Sequence, residues 1–249
     1  MRRQTAVVGI LGGMGPAAGA DFLRLFVDAC AARLQHDGHT VNDQAFPEHW
    51  LAQLPIPDRT HALQDTSPGT HQPLEPMLQA VGRLAALGVR HLAIACNTAH
   101  AWHTAIQERF PRIDVLHIAQ EVALVLSAGG TVRAGLLATE GTYSSGIYQK
   151  ALADTGLVCH IPLEAERSAL MHGIYKGVKA GDLKLANRQF QEVASALIDR
   201  HALDVLVLGC TEIPLALREL EKHPQVQLID PTQVLAQALA DKALGACSD

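Results

Sequence analysis

Along almost the whole chain, short apolar runs rich in β-formers alternate with amphipathic segments, a rhythm that points to a parallel α/β sheet. The expected strands are TAVVGIL (5–11), HTVNDQAF (39–46), VRHLAIA (89–95), IDVLHI (113–118), TVRAGLLA (131–138), LVCHIPL (157–163), LDVLVLG (203–209) and VQLI (226–229). Between them, apolar positions recur at spacings of three and four in 16–34, 73–88 and 185–202, which predicts helices there. Pro16 and Pro231 suit helix starts and Gly88 suits a helix end. The stretch 46–73 breaks the rhythm with five prolines. A segment of that length without periodicity is read as a binding loop or lid, or as an exposed connector.

At 249 residues the chain is long enough for one large domain or two ordinary ones. Its net charge of −5 lacks the basic excess that nucleic acid or anionic membranes attract, so neither is an expected partner. Five cysteines at 30, 96, 159, 210 and 247, with no CxxC pair, argue against a disulfide framework or a zinc ribbon. A reducing cytoplasm is the expected location. Arg2 and Arg3 before an apolar run imitate a secretion signal, but Gly12, Gly13 and Pro16 interrupt that run early. A first strand feeding a glycine-rich loop explains it better.

A weak internal echo runs through this pattern. VVGILGGMGP (7–16) resembles RAGLLATEGT (133–142), and HLAIACNTAH (91–100) resembles VLVLGCTEIP (205–214). The echo implies two similar α/β halves, each with a small-residue loop and then a cysteine turn. After the cysteines stand Asn97, Thr98 and Thr211, helix-capping residue types, and Pro214, which suits a first helical turn. Each thiol is therefore expected between a strand's carboxyl end and a helix N-terminus, where a thiolate is stabilised and a carboxylate can be held. One such cysteine would suggest a nucleophile. Two suggest proton transfer on opposite faces of a stereocentre, one thiolate acting as base and the other thiol as acid.

The set GILGGMGP (9–16), PDRT (57–60), ACNTAH (95–100), LLATEGT (136–142), GIYKGVKAG (173–181) and GCTEIP (209–214) resembles the aspartate/glutamate racemases, a cofactor-independent family, in family order and over nearly the whole chain. The resemblance implies two α/β domains with parallel-sheet cores related by pseudo-twofold symmetry, and an active site in the cleft between them. Residues 1–117 with about 230–249 would form the first and 118–229 the second. It implies inversion of the α-carbon of aspartate or glutamate, no pyridoxal phosphate, metal or nucleotide, and a homodimer. Carried over by position, Cys96 and Cys210 match the catalytic thiols, and Arg59 and Lys179 match the binders of the distal carboxylate. Met14, Asn97, Thr98, Thr139 and Thr211 match positions lining the α-amino acid. Glu212 stands where related glutamate racemases show His, which fits the aspartate-type branch.

Other readings remain open at this point. A relative of the same fold would act on neutral amino acids, isomerise maleate or decarboxylate a malonate derivative, and a silent binding protein for acidic ligands would share the sequence signals. Cys30 and Cys159 read as core residues and Cys247 as part of a tail. His100 and His103 near Cys96 raise a metal hypothesis that lacks a second ligand pair. GGMGP lacks the rest of a dinucleotide fingerprint, so its glycines read as letting backbone approach a substrate.

Overall fold

The computed structural model describes residues 5–65, 67 and 72–245. The chain divides into two compact units, one of Met1–Ala62, Ser67–Ile118 and Thr232–Asp249, the other of Leu63–Thr66 and Ala119–Pro231. Each contains a four-stranded parallel sheet. The first unit holds β1 (Val8–Gly12), β2 (His49–Gln53), β3 (His91–Ile94) and β4 (Asp114–Val115) in the order β2-β1-β3-β4. The second holds β5 (Arg133–Ala138), β6 (Val158–His160), β7 (Val205–Gly209) and β8 (Gln227–Ile229) in the order β6-β5-β7-β8. The repeated order is the structural counterpart of the echo in the sequence. No helix among the described residues is long and apolar enough to cross a membrane.

The period of two along each inner strand sorts side chains between two layers. In the first unit Val8, Ile10, Ala93 and Ala95 join Phe22, Phe26 and Leu34 of the helix Pro16–His36 and Leu235 and Leu239 of the helix Pro231–Leu244. Leu11, Leu92 and Ile94 face the other way, onto Met77, Val81 and Leu84 of the helix Leu74–Ala86. Full burial of each of these large side chains is worth about 1.5–3 kcal/mol relative to exposure. In the second unit Leu137, Leu206 and Leu208 pack on Phe190, Ala194 and Leu197 of the helix Leu183–His201. Pro16 and Pro231 open their helices, and Gly88, at φ +83°, follows Leu74–Ala86 with its N–H on the Ala85 carbonyl.

One expected strand is misplaced. HTVNDQAF contains no strand; Asp43–Ala45 forms a 3-10 turn, and the edge strand β2 lies in the stretch expected to be irregular. Asn42, Asp43 and Gln44 have low strand preference, whereas 49–53 completes the backbone pairing of β1, with Val8 opposite His49. An edge strand tolerates the exposed Trp50 and partial burial, so its hydrophobic signal is weak. The same stretch also contains the helix Arg59–Gln64. It is therefore not a structureless loop, although Thr66 and 68–71 lie outside the described residues.

Candidate active site

In each sheet the chain runs from the inner strand to one edge, then crosses back to the inner strand's other side. That reversal falls between β1 and β3, and between β5 and β7. At such a switch the loops leaving the carboxyl ends of the two strands diverge and leave room for a ligand. The Met14 loop and the Cys96 turn leave the first switch; Thr139 and the Cys210 turn leave the second.

The first turn starts where the Ala95 N–H donates to the Leu11 carbonyl and the Cys96 N–H to the Ile94 carbonyl, at 2.9 and 2.8 Å. Because Cys96 continues the parity of Leu92 and Ile94, its side chain enters the layer of Leu11 and Met14, leaving the residue 5% exposed. Asn97 and Thr98 are also buried. Gly13, at φ +91°, lies against the next segment so closely that a Cβ would stand 2.0 Å from the Leu54 oxygen. Arg59 opens its short helix with the guanidinium buried: Nη2 donates to the Met14 carbonyl at 2.8 Å, and Nη1 to the Ile56 and Pro57 carbonyls at 3.2 and 3.1 Å. Arg59 thus ties PDRT to the first loop and brings a fixed positive charge beside Met14.

The second turn repeats the backbone device, with the Cys210 N–H on the Leu208 carbonyl at 2.8 Å. Ala138 pairs with Gly209, so Thr139 and Cys210 come directly after neighbouring strand ends. Thr139 is extended and caps the helix Glu140–Ser145 by accepting from the Thr142 N–H at 3.2 Å. The Cys210 thiol donates to Glu212 Oε2 at 3.0 Å, and the Thr211 hydroxyl donates to the same oxygen at 3.3 Å. Lys179 lies in a 3-10 turn, Val178–Ala180, with Nζ 3.8 Å from Glu212 Oε1 and 4.5 Å from the Tyr175 ring centre. Cys210, Thr211, Glu212 and Lys179 form one connected polar group.

The structure corrects two expectations about these turns. Asn97 makes no side-chain cap: its backbone is already helical, at φ −60° and ψ −53°, whereas a capping residue needs an extended backbone. Thr211 likewise bonds Glu212 and not a helix N–H. The Cys96 turn leads into the 3-10 turn Thr98–Trp102, continued without a break by the helix His103–Arg109, and the Cys210 turn leads into the four-residue helix Ile213–Ala216. The four-residue helix after Cys210 aligns few peptide dipoles, so it gives that thiol little help toward ionising. The Cys210 thiol is in fact pushed well above its ordinary pKa, first by burial and then by the Glu212 carboxylate and the hydrogen bond to it.

In the sequence Glu212 marks only a branch of the family; in the structure this buried carboxylate holds the thiol. A usable signal is present, since an acid two residues after a strand-end cysteine returns toward it across the turn. Cys30 and Cys159 are each pushed up to about 12 by burial and lie away from both turns, and Cys247 lies outside the described residues. His100 and His103 pack with His117, and no group of three or more His, Cys, Asp or Glu among the described residues is arranged to hold a metal.

Known proteins share this arrangement of the chain to different extents. The chain is 25% identical over 234 residues to a broad specificity amino-acid racemase, RacX of Bacillus subtilis, covering 93% of this chain and 96% of that one. It is 33% identical over 168 residues to a glutamate racemase of Carboxydothermus hydrogenoformans, covering 63% of this chain and 57% of that one. The solved structure of Picrophilus torridus aspartate racemase superposes with a TM-score of 0.76 at 30% identity, over 96% of this chain and 94% of that one. The Asp/Glu/Hydantoin racemase model matches residues 11–239, a span that includes both small-residue loops and both cysteine turns. The chain belongs to the Asp/Glu/Hydantoin racemase family, and racemases are isomerases.

Proposed function

We propose that the protein racemises an acidic amino acid, aspartate or glutamate, without pyridoxal phosphate, using Cys96 and Cys210 as the two proton-transferring groups. The observation that carries this reading is the pair of cysteines at equivalent turns, leaving β3 and β7, the strands across the switch point from β1 and β5. One thiolate removes the α-proton and becomes a thiol. The electron pair left on the α-carbon is shared with the α-carboxylate. The other thiol then delivers its proton to the opposite face and becomes a thiolate, so the reverse reaction starts from the exchanged state. In this scheme Glu212 favours the protonated form of Cys210, making it the acid in the resting enzyme.

Arg59 and Lys179 supply cationic partners for the substrate's distal carboxylate, and Met14, Asn97, Thr98, Thr139 and Thr211 line the α-amino acid. A second reading, racemisation of neutral amino acids, is favoured by the broad-specificity relative aligned over 93% of this chain.

The test is incubation of each enantiomer of aspartate, glutamate and a set of neutral amino acids in D2O, following α-deuterium uptake and optical rotation. Inversion of an acidic substrate with incorporation is expected. If only neutral substrates turn over, the second reading replaces the first; if no amino acid exchanges, both are lost. Arg59 separates them further. Arg59→Lys keeps the charge but loses the planar fork. It should raise KM for aspartate about 10- to 100-fold, the scale of one charge-assisted hydrogen bond, and leave that for alanine within about twofold. Equal losses on both would restrict Arg59 to holding the Met14 loop.

A further inference from the structure

The two cysteine turns differ in what holds the cysteine's own carbonyl. In the second, the Ile213 N–H donates to the Cys210 carbonyl at 3.0 Å, a bond between backbone groups. In the first, the 3-10 winding sends the His100 N–H to the Asn97 carbonyl at 3.0 Å, and the His100 ring serves the Cys96 carbonyl, Nδ1 to oxygen 2.9 Å. A carbonyl only accepts, so Nδ1 is the donor in this bond, and the Leu116 carbonyl lies near the ring as a second acceptor.

His100 is 2% exposed, and its ring is packed within the turn's interior: 5.2 Å from the His117 ring centre and stacked at 6.2 Å on His103. His103 is itself fixed, with Nε2 donating to the Val115 carbonyl at 2.6 Å. Burial, then the neighbouring His117, pushes the His100 pKa down to about 3, so the ring is neutral whenever the protein is folded near neutral pH. A buried, neutral, oriented N–H aimed at the peptide of a proposed catalytic residue has no part in the proton transfers above.

We propose that His100 is a positioning residue for Cys96: its Nδ1–H holds the Cys96 carbonyl, and through that peptide it sets the direction of the thiol. The proposal rests on the reading of Cys96 as an acid/base group. It adds that the carbonyl of the first cysteine, unlike that of the second, is held by a side chain. Proton transfer is sensitive to such aim, since a misplacement of about 1 Å can cost on the order of 100-fold in rate. Substrate binding through Arg59 and Lys179 does not pass through this bond.

The test compares His100→Asn, whose amide N–H can stand near Nδ1, with His100→Gln, whose amide reaches the Nε2 position, and His100→Leu, which fills space without a donor. Thermal unfolding identifies any variant that does not fold. Among folded variants, kcat should fall about 10- to 100-fold in Leu and Gln with KM within about twofold, and Asn should recover most of the loss. Equal kcat in Asn and Leu, or a change confined to KM, overturns the proposal. A second readout needs no turnover: iodoacetamide alkylation of Cys96 and Cys210, followed by peptide mass spectrometry in the full-length protein. Release of the carbonyl should speed alkylation of buried Cys96 by roughly threefold or more in Leu, leave Cys210 unchanged, and be reversed in Asn. An unchanged Cys96-to-Cys210 ratio overturns the positioning role even if the protein proves to have no racemase activity. Absence of that activity in the wild type, with the ratio changed as stated, counts against the functional reading alone.

Discussion

Cys96→Ala and Cys210→Ala should each lower racemisation by on the order of 10²–10⁴-fold, the usual contribution of a positioned acid or base. The more informative result concerns exchange. Each variant keeps one thiol, which can still remove the α-proton from the enantiomer that presents it and return a deuteron to the same face. Each should therefore catalyse α-deuterium uptake with retention from one enantiomer only, and the two variants should select opposite enantiomers. The double variant should exchange neither. Inversion at the wild-type rate in either single variant, or the same enantiomer exchanged by both, removes the two-thiol scheme. Optical rotation and proton NMR in D2O provide both measurements.

Glu212→Gln should have the next largest effect, and it acts through a proton. The carboxylate raises the Cys210 pKa by its charge and by accepting the thiol hydrogen bond. A neutral amide keeps the shape and removes the charge. The sign is therefore downward: the variant thiol ionises at lower pH than the wild-type thiol, although burial continues to hold it up. The pH profile of Cys210 alkylation should move the same way, and a thiol that ionises one pH unit lower should react about tenfold faster at fixed pH. In the proposed cycle the variant leaves less of Cys210 in the protonated form that acts as the acid. Racemisation should fall about 10- to 100-fold, and more steeply in the direction that starts with Cys210 as the acid. An unchanged alkylation profile would mean that Glu212 serves only the ion pair with Lys179, 3.8 Å away.

Cysteine and glutamate illustrate how unevenly the site is written in the chain. The cysteines are legible because a strand-end thiol followed by polar residues, met twice in matching runs, is a local pattern. Glu212 is just as local, two positions beyond Cys210, but its role depends on which way its buried carboxylate turns beside a four-residue helix. His100 is visible in the sequence as a spacing from Cys96 that suggests a metal ligand. The ring instead serves a carbonyl, because the winding of Thr98–Trp102 sends the backbone N–H of residue 100 to Asn97. Arg59 matches a substrate binder by position alone; its contacts to Met14, Ile56 and Pro57 bring PDRT and the first loop together across 45 positions.

The sequence by itself determined the fold class, the repeated order of loop and cysteine turn, and most inner strands, because hydrophobic period and β-branched content are properties of short windows. Only the tertiary structure decided that the first edge strand is His49–Gln53 and not 39–46, since an edge strand is selected by the backbone it pairs with more than by its own hydrophobicity. It also decided which layer each cysteine enters, and what holds it there: Glu212 at one thiol and the His100 ring at the other cysteine's carbonyl. Strand parity becomes a layer only when a register is chosen, and a buried polar group takes its partner from whatever the finished packing brings within hydrogen-bond reach.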